Sequence, residues 1–406
     1  MSPANSLTAL RRRWGVTAVC ALLLLGGSYG LLNPIWPYAP RWLGLAAVVI
    51  LTQLAWLWRN LGNNRHTQSG RLLPTFGLGN AISIGRGLLL GLLAGFLFLP
   101  RPAGVLAWLP ALLYTAAALA DIVDGYAARR TNTTTDLGAR LDITLDGQGL
   151  LIVIGLAVWY GLLPGWYLLL ALARYGWLAA IWLRERRGWP VYELPPSVHR
   201  RTLAGLQMGF LSVVLWPILP PAGTQVAGWV MGGPLLLSFV RDWLIVIGRI
   251  NPDGAAYRQG QAALYQVFGP WLPFWLRLTV GGTLPLWGWL RYGSLLPAEW
   301  INLFAGWGLP GAEMVAGGTA VLTLIAALCL SLGVLTRFAT WPLFWALNAD
   351  ILTQGLDPVN ALLLSGGLYL LQFGPGRWTL WAKEENFFLS RAGRVVVKSP
   401  LAKQGK

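Results

Sequence analysis

The chain has 406 residues, of which 55% are hydrophobic and 11% charged, against roughly 25% charged in ordinary soluble domains. That composition excludes a soluble globular enzyme and predicts an all-α, polytopic membrane protein. The net charge of +16 does not point to nucleic acid, because the basic residues fall between apolar spans, where positive-inside bias and anionic lipid account for them.

Two apolar spans come first, about Trp14 to Leu32 and Trp42 to Trp58, behind the Arg11 to Arg13 run. Neither holds a charged residue in its interior, so they read as an added transmembrane hairpin, the first helix remaining uncleaved. The polar run NLGNNRHTQSGR follows as a cytoplasmic loop, with His66 as a solvated residue. LGNAISIGRGLLLGLLAGFLFL predicts a first core helix on which Asn80, Ser83 and Arg86 recur at three-residue steps, forming a polar stripe. A second core helix is expected over about Val105 to Arg130 and a third over about Asp136 to Tyr160, with Asp136 complementing the helix dipole. The fourth span, Trp166 to Leu183, carries Arg174, which either faces a cavity or pairs with an acid.

A basic loop then holds Arg184, Arg186, Arg187, Arg200 and Arg201. Positive-inside topology accounts for this cluster, and the functional alternative is that Arg200 or Arg201 binds a phosphate on an acceptor. Spans at about Leu203 to Ile218 and Val226 to Ile247 complete six core helices. Beyond a polar linker, four more spans are expected at about Trp271 to Leu290, Met314 to Val334, Phe338 to Ile351 and Val359 to Phe373. The expected organisation is therefore a hairpin and loop (1–75), a six-helix domain (76–248), a linker (249–267), a four-helix membrane domain (268–380) and a basic cytoplasmic tail (381–406), with about 12 transmembrane helices. Cys20 and Cys329 both lie in apolar spans and give no disulfide framework. Placing the basic loops on one side puts both termini in the cytoplasm.

Five of the nine aspartates fall between positions 121 and 146, in segments that otherwise read as membrane helix. An ionisable group at that depth marks a functional site by default. Asp121 and Asp124 are three apart and Asp142 and Asp146 four apart, so each pair shares a helical face. A reversal at Arg130 to Thr135 sets the two pairs opposite each other. Four convergent carboxylates form a cage for a hard divalent cation, Mg²⁺ above all, together with substrate phosphates. Gly125, Ala128 and Gly138 leave room at the backbone, and Arg129 offers a fork for a phosphate.

The pattern Asp121-x-x-Asp124-Gly125-x-x-Ala128-Arg129, eight residues, Gly138-x-x-x-Asp142-x-x-x-Asp146 resembles the full signature of the CDP-alcohol phosphatidyltransferase family. The resemblance implies a membrane enzyme with a six-helix core that moves a phosphatidyl-type group from a CDP-linked lipid to an alcohol and releases CMP. Carried over by position, Asp121, Asp124 and Asp142 would hold metal. Asp146 would be the base and also touch metal, and Gly125, Ala128, Arg129 and Gly138 would shape the CDP pocket. The stripe of Asn80, Ser83 and Arg86 would flank the nucleotide, and snorkelling to the interface is the other reading of Arg86. Two ions, Mg²⁺ or Mn²⁺, are expected, since a pair can clamp both the attacking and the leaving oxygen. Homodimers are usual in that family.

The stretch ARLDITLDG lacks the LDPxADK wording of many phosphatidylglycerophosphate synthases, which leaves the acceptor open among inositol phosphate, glycerol phosphate, serine and other polyols. The segments around Gly333 to Arg337 and Gly374 to Arg377 resemble the DoxX family of four-helix membrane proteins. Alternative readings are a UbiA-like prenyltransferase, whose first acidic motif has a different spacing, and a divalent-cation transporter, which needs neither the glycines nor Arg129.

Overall fold

The computed structural model describes residues 3–194, 198–294, 297–381 and 383–385, the side chains of 3 and 198–201 excepted. The described residues form fourteen α-helices and no strand. Eight helices are long and apolar enough to cross a membrane, and Thr202–Val214 and Pro358–Phe373 are shorter apolar helices. The protein is thus polytopic and all-helical, as the composition predicts.

Contacts divide the chain into two compact units, Met1–Arg174 with Met208–Ile218, and Tyr175–Gln207 with Leu219–Lys406. The first unit opens with α1 (Pro3–Leu32) and α2 (Ala39–Asn60), which pack as the expected hairpin. Trp14 on α1 donates its indole N–H to the Leu54 carbonyl on α2 at 2.9 Å. α3 (Gly77–Ala94) lies against α2, α4 (Trp108–Arg130) and α5 (Asp136–Trp159). Trp42 fastens α2 to α3 by donating to the Leu92 carbonyl at 3.1 Å. Gly79 permits the close approach of α3 and α4, because a Cβ there would stand 2.6 Å from the Ala128 Cβ.

The segment before α3 does not stay loose. His66 N–H donates to the Arg71 carbonyl, Thr67 N–H to Thr134 and Asp136 N–H to Arg65, at 2.9, 3.0 and 3.0 Å. The His66 ring nitrogen Nε2 lies 3.1 Å from the Asn132 carbonyl. This loop therefore pins the α4–α5 turn, and the partly exposed His66 side chain is part of that clamp.

α6 (Leu168–Arg186) and α7 (Val198–Val214) contribute to both units. In the first, Thr115 on α4 donates to the Ser212 carbonyl on α7 at 2.9 Å. The second unit contains α8 (Pro221–Val246), α9 (Ala255–Gln266) and α10 (Leu272–Tyr292). It continues with α11 (Ala298–Gly306), α12 (Ala312–Leu332), α13 (Thr336–Gln354) and α14 (Pro358–Phe373). The expected linker carries α9, and α11 is a short helix between the first two C-terminal spans. Gly293 and Gly333, both at positive φ, stop α10 and α12.

Leu284, Leu330, Leu343, Leu347 and Leu363 form the core of α10, α12, α13 and α14. Asp350, near the C-terminal end of α13, is 0% exposed. It accepts from Asn360 Nδ2 at 2.9 Å and from the Tyr292 hydroxyl, and pairs with Arg291 Nε at 2.6 Å. A buried carboxylate persists only with such partners.

Candidate metal centre

Helix phasing builds the site. Thr135 caps the N-terminus of α5 by accepting from the Gly138 N–H at 3.0 Å, which satisfies one of the orphan donors of the first turn. Asn80 on α3 donates to the same Thr135 hydroxyl at 2.9 Å and to Asn64 Oδ1 at 3.1 Å. A Cβ on Gly138 would stand 2.5 Å from Asn80 Oδ1. Glycine at this motif position therefore makes room for the α3–α5 tie.

With α5 held in this way, Asp142 and Asp146 face α3 and α4. Oxygens of Asp121, Asp142 and Asp146 all lie within 4.8 Å of one another. The fourth motif acid, Asp124, is buried and accepts from the Ser83 hydroxyl at 2.7 Å. Only three of the four carboxylates thus meet in one cluster, while Asp124 is held against α3.

Arg86 sits at the centre. It is 3% exposed, and its Nη1 contacts Asp121 and lies 3.5 Å from Asp142 and 3.8 Å from Asp124. Nη2 donates to Asp146 Oδ1 at 3.0 Å and to the Asp142 carbonyl at 3.3 Å. One guanidinium neutralises one of four carboxylates, so an excess of negative charge remains. The side chains of Asp142 and Asp146 are 52% and 36% exposed, which leaves the cluster open to a ligand. An all-oxygen donor set with excess negative charge and an open side fits a hard divalent cation.

The remaining candidates are placed as follows. Gly125 faces the guanidinium of Arg129, whose side chain is exposed. Ala128 packs on Gly79. Arg174 is half-buried and within electrostatic reach of Asp146, in keeping with the cavity-facing or acid-pairing alternatives. Tyr114, buried on α4 near both Asp146 and Arg86, adds a hydroxyl that the sequence did not mark. The acceptor-side candidates Arg200 and Arg201 lie outside the residues whose side chains are described.

These features define a membrane-embedded acid cluster on a helical scaffold. Residues 76–249 match the family model for CDP-alcohol phosphatidyltransferase, and this segment contains every acid of the cluster. No curated protein and no solved structure matches the chain.

Proposed function

We propose that the protein transfers a phosphatidyl-type group from a CDP-linked lipid to an alcohol. The observation that carries this reading is the convergence of Asp121, Asp142 and Asp146 inside the segment that matches the family model. Asp121, Asp124, Asp142 and Asp146 would hold the ions, with small side-chain shifts of Asp124 away from Ser83 and of Arg86 toward the rim. Bound divalent ions would neutralise charge on the pyrophosphate oxygens.

The acceptor hydroxyl oxygen forms a bond to the lipid-side phosphorus while the bond from that phosphorus to the bridging oxygen breaks. CMP takes the bridging oxygen and its electron pair. Asp146 accepts the hydroxyl proton. Arg129, exposed at the end of α4, is free to meet a phosphate of the nucleotide, and Arg200 or Arg201 would serve a phosphorylated acceptor. On the same reading the site opens to the cytoplasm, the protein works as a homodimer, and the C-terminal helices are a DoxX-type accessory bundle.

The test is CMP release by purified protein with CDP-diacylglycerol, Mg²⁺ or Mn²⁺ and a panel of alcohols. One acceptor is expected to stimulate release, and Asp146→Asn, which keeps the shape and removes the base, is expected to lower it by roughly 10²–10⁴-fold. Protein that is folded yet binds no CDP-lipid and releases no CMP would overturn the reading.

A further inference from the structure

A cavity of about 200 Å³ lies between α2, α3 and α5. Its wall is almost wholly apolar and includes Leu57 from α2, Ile84 and Leu88 from α3, and Leu145 from α5. An engineered apolar void of about 150 Å³ is large enough to take up benzene, so a space of this size admits a stretch of hydrocarbon. Besides the hydroxyls of Thr52, Ser83 and Thr144, two amide side chains break the apolar wall. Gln53 on α2 donates its Nε2 to Gln148 Oε1 on α5 at 3.1 Å, and Gln53 Oε1 is buried with no hydrogen-bond partner. A buried amide oxygen without a partner is costly. A half-turn of both amides keeps their mutual bond and brings an N–H into the place of that oxygen, so the pair can meet a hydroxyl or an ester carbonyl.

The cavity shares a wall residue with the acid cluster. Ser83, which donates to Asp124 at 2.7 Å, also lines the cavity. Along α5, Gln148 is six residues past Asp142, about 9 Å further from the polar α4–α5 turn. The cavity therefore runs alongside Asp142 and Asp146, from the level of Leu141 to that of Gln148. Gly87 keeps it open, because a Cβ there would stand 3.2 Å from Leu145 and 3.3 Å from Gln53.

Resting on the transferase reading above, we infer that this cavity holds the first part of a hydrocarbon chain of the CDP-linked donor, with the Gln53–Gln148 pair meeting the polar linkage between chain and phosphate. A pyrophosphate held at the acids fixes the polar end of the donor, and the chain must then run toward the bilayer. The cavity is a route in that direction with a shared wall. α2 consequently belongs to the substrate site, although no charged residue between Arg41 and Arg59 announces it.

The experiment is photolabelling in liposomes with a CDP-diacylglycerol analogue carrying a diazirine in the upper part of one chain, mapped by peptide mass spectrometry. Adducts are expected within 52–57, 84–88 and 141–148, reduced about tenfold by excess CDP. Gly87→Val and, separately, Leu88→Trp are expected to lower these adducts by a similar factor, with the melting temperature showing which variants remain folded. CDP-sensitive adducts confined to other helices would overturn the inference. Cavity adducts that CDP does not reduce, or that neither folded variant lowers, would overturn it too. CMP release without cavity adducts refutes this inference alone, whereas CDP-sensitive cavity adducts without CMP release with any alcohol support the inference and refute transfer.

Discussion

Arg86 is the residue on which the acid cluster turns. Four carboxylates on α4 and α5 repel one another, and the buried guanidinium from α3, within 3.8 Å of all four, offsets part of that repulsion. Breaking a fully buried ion pair by removing one partner costs roughly 3–5 kcal/mol. The cost here is smaller, since Asp142 and Asp146 reach solvent. Arg86→Met is therefore expected to lower the melting temperature of metal-free protein. It should also enlarge the rise in melting temperature on adding Mg²⁺, because the acids then lack their internal cation and bind an external one more tightly. Thermal unfolding of both proteins over a Mg²⁺ titration reads this directly. An equal or smaller Mg²⁺ effect in the variant would show that Arg86 is not the counter-ion of the cluster. The recurrence of Asn80, Ser83 and Arg86 was legible as a stripe in the sequence. Its partners were not, because helical spacing tells which residues share a face and not what that face meets.

At the scale of helices, the motif's small residues act first as spacers. Ala128 and Gly79 set the distance between α3 and α4, and Gly138 admits the Asn80 side chain between α3 and α5. A Cβ at Gly79 would also stand 3.0 Å from the Asp124 backbone oxygen, which cannot swing aside. Gly79→Ala thus has to push α4 away from α3, at a cost of roughly 1–3 kcal/mol. The push moves Asp121 and Asp124 relative to Asp142 and Asp146, and a misplacement near 1 Å can cost about 10²-fold in rate. Gly85 on the same helix has nothing within 4 Å of its missing Cβ, so Gly85→Ala is the matched control. CMP release and melting temperature are expected to fall for Gly79→Ala and to hold or rise for Gly85→Ala, alanine being the better helix former. Equal behaviour of the two variants would remove the spacer role. The small positions of the motif were visible in the sequence. That Ala128 is spent on a helix contact was not, since its partner Gly79 lies 49 residues earlier.

Over the whole molecule, the spans and the acidic motif could be read directly, because apolar runs of about 20 residues and aspartates within them are strong local signals. Long-range pairing was hidden. The hairpin looked like an appendage until Gln53 was seen against Gln148, and nothing local announced the partners of α8. Within its own unit, α8 packs on α13 and α14 through its small side chains. Gly223 faces Ile351 and Leu364, and Gln372 Nε2 donates to the Val230 carbonyl at 2.9 Å. Small residues at such a seam let membrane helices approach closely, where packing rather than the hydrophobic effect holds them. The matched segment ends at residue 249, so a chain stopped there would keep α8 and lose α13 and α14, against which Gly223 packs. That shortened chain is expected to melt below the full-length protein in the same detergent. Gln372→Ala in the full chain, which removes one hydrogen bond worth about 1 kcal/mol, should give a smaller shift in the same direction. If the shortened chain instead melts with the full-length protein and releases CMP at the same rate, α8 is held without α13 and α14. The C-terminal bundle would then be independent of the catalytic segment in stability as well as in chemistry.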